Sequence, residues 1–319
     1  MTALSDSAVN RLRRAIGRPA PPERYQLGEI IGQGGMGEVW QARDVVLDRD
    51  VAIKVTAPHL AADEFSARLK REARILARLE HPGIVPVHDV GVLDDGRAWY
   101  VMRLVAGTRL DVAARSVAGR GELLRIMERL CDTVAYAHAH HVVHRDLKPG
   151  NVMLGPFGEV LVLDWGVARD GAGPDRAAAP SDPDPGSADT VVTHSGTVIG
   201  TPGYMSPEQA AGGPADERSD VYGLGAILRD LCAVHDDPMP RALASILRRA
   251  TAGRPSDRYD SPVALRDDLR RLLDGARVHA HRESIFEATL RIVSAYRTPI
   301  LLILAYLAMR LAILWWRGV

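Results

Sequence analysis

From Tyr25 onward, short alternations of apolar and polar residues are broken by glycines. The runs YQLGEIIGQGGMGEVWQARD and RDVAIKVT are rich in β-branched residues and separated by turn residues, a pattern that predicts antiparallel hairpins. The period then changes: Phe65, Leu69, Ala73 and Leu76 fall at helical spacing, predicting one amphipathic helix over Ala62 to Leu79. Val85 to Asp89 and Arg97 to Leu104 read as further strands. After Gly107 the texture is helical, and between Glu122 and Ala139 the residues Leu124, Met127, Leu130, Cys131, Val134 and Ala135 share a face. Strands with a single helix, followed mostly by helices, predict an α+β protein with a small sheet lobe and a larger helical lobe. The cleft between the lobes is the expected ligand site.

Near the C-terminus the pattern becomes almost wholly apolar, with ILLILAYLAMRLAILWW over Ile300 to Trp316. As a helix this run would cover roughly 25 Å against a hydrocarbon core of about 30 Å, the lower limit of a span. Its leucines and isoleucines offer about −4 kcal/mol of insertion free energy, opposed by at most about +3 kcal/mol from Arg310. Trp315 and Trp316 stand where an interfacial aromatic belt would place them. A polar stripe of only Tyr306 and Arg310 is too narrow for a helix lying on the surface; a buried core helix is the competing reading. Arg277, Arg282, Arg291 and Arg297 precede the run and only Arg317 follows, so a single-pass membrane anchor with the globular part in the cytoplasm is expected. The first residues, 1–24, carry Arg11, Arg13, Arg14 and Arg18 before a proline-rich stretch, and read as a flexible basic leader with no signal-peptide core.

Composition narrows the function. Forty Lys and Arg against forty Asp and Glu leave no net charge, which argues against general nucleic-acid binding. Cys131 and Cys232 are the two cysteines, too few for a disulfide scaffold or a four-thiolate zinc site, and both lie in apolar runs that suit the core. His138, His140, His141 and His144 are close in sequence, but three of them end a predicted helix, and zinc is a weak reading.

The chemistry-bearing residues sit on either side of the expected cleft. Gly32, Gly34 and Gly37 form G-x-G-x-x-G, but the chain continues into a strand rather than a helix, so the glycines cap a hairpin instead of opening a dinucleotide fold. Such a turn lets backbone N–H groups close over phosphates. Val-Ala-Ile-Lys ends at Lys54, a point charge for phosphate oxygens. Of the carboxylates on the predicted helix, Glu64, Glu72 and Glu80, Glu72 flanks the apolar face and is the chosen partner of Lys54. The strongest signal is His144-Arg145-Asp146-Leu147-Lys148-Pro149-Gly150-Asn151, followed by Asp164-Trp165-Gly166. It supplies carboxylate and amide oxygens, the ligands that Mg²⁺ prefers when it also binds phosphates.

These motifs, in this order, resemble the protein kinase superfamily, specifically the bacterial Ser/Thr kinases of eukaryotic type. The resemblance covers Tyr25 to about Gly275. It implies a bilobal fold with an N-lobe over 25–104 and a C-lobe over 105–275; the apolar pattern adds a juxtamembrane linker at 276–299 and the hydrophobic helix at 300–316. It implies ATP and Mg²⁺ as cofactors, with Mn²⁺ an acceptable substitute, and protein substrates. Ile31, Gly32, Gly34, Gly35, Gly37 and Val39 would cover the phosphates and adenine, with Ala52 above the base and Met153 below it. Met102 resembles the gatekeeper, and the backbone of Arg103 and Val105 would read the adenine edge; the family usually has Glu where Arg103 stands. Lys54 would contact the α- and β-phosphates and pair with Glu72. Asp146 would orient the substrate hydroxyl and accept its proton, and Lys148 would stabilise the transferring phosphoryl group. Asn151 and Asp164 would hold the metal. Lys148 with Thr201 marks Ser/Thr rather than Tyr specificity. Glu208, Asp220 and Arg258 match structural positions of the helical lobe. A homodimer is a family expectation that these residues do not themselves show.

Asp164 to Glu208 resembles an activation segment. Its first half is Pro, Ala, Asp and Gly with little to bury, so disorder is expected, and its second half concentrates hydroxyls. Thr193 and Ser195 are the favoured regulatory phosphosites, with Thr190 and Thr197 as alternates, and Arg145 could pair with a phosphate there. A plain polar linker is the other reading. Two departures stand out: Trp165 replaces the usual Phe, and Ala233 to Pro255 is shorter than the family normally allows, leaving little room for the helix that often docks protein substrates. A nucleotide-binding pseudokinase scaffold is the alternative function, and a small-molecule phosphotransferase the third.

Overall fold

The computed structural model describes residues 19–34, 37–57, 63–117, 119–165, 169–170, 203–234, 237–285, 287–289 and 297–317. Gly35 and the expected phosphosites Thr190, Thr193, Ser195 and Thr197 lie outside them, as do Gly166 and Thr201.

The N-terminal lobe is a five-stranded antiparallel sheet of order β1-β2-β3-β5-β4, built from β1 (Tyr25–Gly34), β2 (Gly37–Asp44), β3 (Arg49–Thr56), β4 (Val87–Val92) and β5 (Ala98–Arg103). Helix α1 (Asp63–Leu76) packs on one face. The two-residue period of the strands sorts the side chains. Val51, Ile53 and Val55 of β3 join Trp99 and Val101 of β5 in a small core on the outer face, with Tyr25 and Trp40. The alternate residues, Ala52 and Lys54 on β3 and Tyr100 and Met102 on β5, fall on the face toward α1 and the cleft. Cross-strand register sets Lys54 opposite Tyr100 and Ala52 opposite Met102. The strands β4 and β5 begin slightly later than the apolar runs suggested, at Val87 and Ala98.

The C-terminal lobe carries β6 (Thr108–Arg109), α2 (Leu110–Ala113), α3 (Arg120–Ala139), β7 (Val142–Val143), β8 (Val152–Leu154), β9 (Val160–Val162), β10 (Arg169–Asp170), α4 (Pro207–Ala210), α5 (Glu217–Ala233), α6 (Arg241–Ala250) and α7 (Pro262–Leu273). Leu123, Leu124, Met127, Leu130, Cys131 and Val134 of α3 pack with Leu224, Ile227, Leu228 and Leu231 of α5. The same core continues to Leu69, Ala73 and Leu76 of α1, so one apolar cluster joins the back of the two lobes. Both cysteines are buried and unpaired thiols. Asp216 caps α5 by accepting from the N–H groups of Arg218 and Ser219 at 2.9 and 3.3 Å, satisfying two otherwise orphaned donors.

The short stretch after α5 carries no helix among the described residues before α6 begins at Arg241. Arg120 draws this connection against the start of α3, donating to the carbonyls of Asp237 at 2.8 Å and Pro238 at 3.0 Å. The beginning of the expected juxtamembrane linker is docked rather than loose. Val278 is buried, and the carboxylate of Asp268 on α7 accepts from the N–H groups of His279 and Ala280 at 2.8 and 2.9 Å and from the Tyr259 hydroxyl at 2.9 Å.

The apolar C-terminal run forms α8 (Arg297–Arg317). Leu301, Leu302, Ile303, Leu304, Leu307 and Leu311 are all exposed. Counting only the described side chains, which leave out Ile300 and Leu314, no helix is long and apolar enough to cross a membrane. The single-pass anchor expected from hydropathy is therefore not shown.

Candidate active site

The cleft side of the N-lobe is organised by charge. Lys54 Nζ sits 2.8 and 3.0 Å from the two carboxylate oxygens of Glu72 and 2.6 Å from Asp164 Oδ1. Lys54 and Glu72 are both buried, whereas the Asp164 side chain is 57% exposed at the cleft. Glu72 reaches inward because it shares the buried face of α1 with Leu69, Ala73 and Leu76. A second group holds it: the Tyr100 hydroxyl donates to Glu72 Oε1 at 2.9 Å. Burial works against the charge on Lys54, but the carboxylates of Glu72 and Asp164 outweigh it and keep the ammonium well above its usual pKa. Asp164 is held below the ordinary carboxylate range chiefly by the Lys54 charge.

The loop after β7 presents the other half. Asn151 Nδ2 donates to the Asp146 carbonyl at 2.8 Å and to Asp146 Oδ2 at 3.2 Å, and Lys148 Nζ lies 3.0 Å from that same Oδ2. Asp146 is thus oriented by two neighbours from its own loop. His144 points away from the cleft: its Nε2 donates to the Leu163 carbonyl at 3.0 Å, its Nδ1 accepts from Asp146 N at 3.3 Å, and its ring lies 4.7 Å from that of Trp165. Trp165 is 1% exposed and donates its indole N–H to Val162 O at 3.2 Å, so the bulkier ring is fully housed.

This loop hangs from one carboxylate. Asp220 on α5, 1% exposed, accepts from His144 N and Arg145 N, each at 2.8 Å, and pairs with His138 Nε2 at 2.7 Å. Its burial favours the neutral acid, but these donors, His138 first, keep its pKa below the ordinary value. Arg145 and Asp164 both have positive φ, 71° and 62°, a conformation that costs non-glycine residues on the order of 1–3 kcal/mol. Each is held there by strong bonds, Arg145 through Asp220 and Asp164 through Lys54. Gln209 of α4 adds a strut by donating to Arg145 O at 2.8 Å. Below it, Arg258 grips Glu208 with both terminal nitrogens at 2.7 Å. Burial raises the Glu208 pKa, but this fork and the neighbouring donors bring it down to about 2.

The expected nucleotide-binding positions surround these charges. Gly32 pairs with Val39, and Gly34 with Gly37, across the β1–β2 hairpin. Val39 lies opposite Lys54 on β3. Ala52 is buried, Met102 and Met153 are half-buried, Val105 follows β5, and Ile31 is half-exposed. Arg103 donates its N–H to Pro86 O at 3.2 Å, and its guanidinium meets Glu159 at 3.3 Å. The glycines differ in what requires them. A Cβ on Gly37 would stand 2.2 Å from Val55 O, so the sheet itself demands glycine. At Gly34 a Cβ would meet nothing within 4 Å.

The donor set suits a hard cation. Commitment of Asn151 Nδ2 to Asp146 leaves the amide oxygen as the atom that could meet a cation, and Asp164 offers a half-exposed carboxylate. Among the described residues no cluster of three or more His, Cys, Asp or Glu is placed to hold a metal. The four neighbouring histidines form no such group: His138 serves Asp220, His144 serves Leu163, and His140 Nδ1 donates to Tyr136 O at 2.9 Å. Sequence reasoning missed Tyr100 and His138 as partners of Glu72 and Asp220. Tyr100 carried a usable signal, since strand alternation puts it on the same face as Met102.

Comparison with known proteins agrees with this arrangement. Residues 25–249 match the family model described as the protein kinase domain. The chain is 33% identical over 293 residues to the serine/threonine-protein kinase PrkC of Bacillus subtilis, covering 83% of this chain and 43% of that protein. It is 34% identical over 295 residues to PknD of Chlamydia abortus, covering 80% of this chain and 31% of the other. The chain therefore spans less than half the length of these curated relatives. Among solved structures, the PknI kinase domain of Mycobacterium tuberculosis superposes with a TM-score of 0.58 at 29% identity, covering 79% of this chain and 97% of that one.

Proposed function

The chain belongs to the protein kinase family, and from that premise we propose that it is an active Mg-ATP-dependent Ser/Thr protein kinase. The observation that carries this reading is Lys54 joined to both Glu72 and Asp164 while Asp146, Lys148 and Asn151 converge from the opposite loop. A scaffold that only binds nucleotide would have no need of the second group.

Bound Mg-ATP supplies the γ-phosphoryl group and the cation that neutralises its charge; Asn151 and Asp164 are the residues that would hold that cation. Lys54, braced by Glu72, positions the phosphates. The hairpin of Gly32 to Val39 covers them, and Gly34 is glycine because a phosphate rather than protein needs the space. Ala52, Val39 and Met153 bracket the base, and the backbone of Arg103 and Val105 reads its edge. Asp146 orients the acceptor hydroxyl and takes its proton, and Lys148 offsets charge on the phosphoryl group in flight. Catalysis is then positioning plus electrostatic stabilisation. Activity is switched by phosphorylation at Thr193 or Ser195, with Thr190 and Thr197 as alternates.

Attachment to a membrane through α8 is part of the proposal. A helix whose one polar stripe is Tyr306 and Arg310, and whose described side chains are exposed, needs cover, and lipid provides it, with the kinase domain on the cytoplasmic side where ATP is found. The short α5–α6 connection points to substrate docking that does not use a helix at that place.

The test is to incubate the full chain, and an Asp164→Ala variant, with Mg-ATP and to map phosphosites by mass spectrometry. Phosphate on Thr193 or Ser195 in the wild type alone supports both activity and switch. ATP binding without any phosphate would favour the scaffold. Flotation with vesicles, lost on truncation before Ile300, tests the attachment.

A further inference from the structure

A second charged site lies on the far side of α1 from Glu72. A cavity of about 390 Å³ opens between the outer face of this helix and the β4–β5 turn. Lys70, Arg71 and Arg74 line it from the helix, Val92 from the end of β4 and Gly96 from the turn. Ser66 ties the two walls together by donating its hydroxyl to Gly96 O at 3.2 Å. Among the described residues no carboxylate lines the cavity. Among the described residues none of the three cations has a hydrogen-bond or ion-pair partner, whereas Arg24, Arg43 and Arg97 of the same lobe are each paired with aspartates. Lys70 and Arg74 stand four residues apart, a like-charge spacing that destabilises a helix unless an anion relieves it.

We propose that this cavity is a docking site for a phosphorylated Ser or Thr side chain on a peptide. A phosphate dianion offers three strong acceptor oxygens and close to two negative charges against the three cations, where one carboxylate brings two oxygens and a single charge. The volume admits the phosphate and an adjoining residue, and Val92 gives that residue an apolar contact. A recessed pocket bounded by a turn suits a single protruding group better than a flat lipid surface. That the phosphate is borne on Ser or Thr rests on the proposed kinase reaction, whose product it is; the cationic pocket does not depend on it.

The experiment measures fluorescence anisotropy of a labelled peptide, Gly-Val-phosphothreonine-Val-Gly, and of its unphosphorylated twin, titrated with the full chain. The phosphorylated form binds at least about tenfold tighter, and the combined Lys70→Gln, Arg71→Gln and Arg74→Gln variant loses that preference. The same variant keeps its melting temperature to within a few degrees, since Arg71 and Arg74 are exposed and Lys70 is only half-buried, and Arg115→Gln keeps the preference, separating the site from general surface charge. The Asp164→Ala variant also binds the phosphopeptide like wild type, so a failure of phosphoryl transfer and a failure of docking are read independently. Equal affinity for the two peptides, or a preference that survives the triple variant, overturns the proposal. Inorganic phosphate competing as well as the phosphopeptide would reduce the site to a general anion pocket and overturn the peptide. Phosphatidylserine vesicles bound through the three cations, with no phosphopeptide binding, would overturn it in favour of a lipid surface.

Discussion

Glu72 and Asp220 are both buried carboxylates that fix a neighbour for the cleft, yet they are held in opposite ways. Glu72 is caged by side chains, the Lys54 ammonium and the Tyr100 hydroxyl. Asp220 is caged mainly by backbone, the N–H groups of His144 and Arg145, with the ring of His138 completing the set. Side-chain cages can open by rotamer changes or a shift of α1, and each group can then reach water. A backbone cage cannot open without unfolding the loop, because the N–H groups stay buried when their acceptor is gone. The position of Lys54 is thus open to movement of α1, and the position of Asp146 is set by the fold of its loop.

The widest separation between the two halves comes from pairing Asp164→Ala with Asp220→Asn. Asp164 is half-exposed and Glu72 still pairs with Lys54, so its removal should lower melting by less than Asp220→Asn does while phosphoryl transfer falls by about 10²–10³. Asp220→Asn keeps the shape but sets an amide N–H₂ against at least one buried donor, and should cost about 2–4 kcal/mol of stability, seen by calorimetry as a lower melting temperature. An Asp220→Asn protein that melts like wild type would sink the distinction between the two cages.

The acid limb of stability sharpens the folding side. Glu208 has a folded pKa of about 2 against an ordinary value of 4.5. Because the folded value is the lower one, the stability it contributes is complete above the ordinary value and drains away as pH falls toward the folded one. Arg258→Met removes the fork that depresses it. The variant should be less stable at neutral pH and should show a flatter decline between pH 4.5 and 2 than the wild type. Parallel acid limbs in the two proteins would mean that Arg258 does not set the Glu208 pKa.

How much of this was legible in sequence depends on how far apart the partners lie. The strands, the amphipathic α1 and the choice of Glu72 followed from periodicity, since a helix face and a strand face are local properties. The shortness of the α5–α6 connection could be counted directly. Strand alternation put Tyr100 on the cleft face, but its bond to Glu72 depended on how α1 packs across that face, which no local pattern encodes. Asp268 reads as one more charge in RDDLRR, yet it is 1% exposed and holds the segment after α7, because the chain folds back over it. For α8 the sequence conveyed helix and apolarity, while its surroundings are a property of whatever covers it.

The smallest expected effect tests the weaker bar of the side-chain cage. Tyr100→Phe deletes one hydroxyl that donates to Glu72 Oε1 and leaves the ring packed in the core. Lys54 still meets both oxygens of Glu72, so the carboxylate stays paired and only one neutral donor is lost. The net cost of such a bond is about 1 kcal/mol, roughly a fivefold change in an equilibrium. If α1 can shift outward, that change should surface as a rise of a few fold in the KM for ATP with kcat little altered, because phosphate positioning weakens while Asp146 and its loop are untouched. A loss as large as that of Asp164→Ala would mean that the hydroxyl, rather than the lysine, fixes Glu72. No change at all would mean that the ion pair alone holds the helix in place, and the side-chain cage would then be a single bond rather than two.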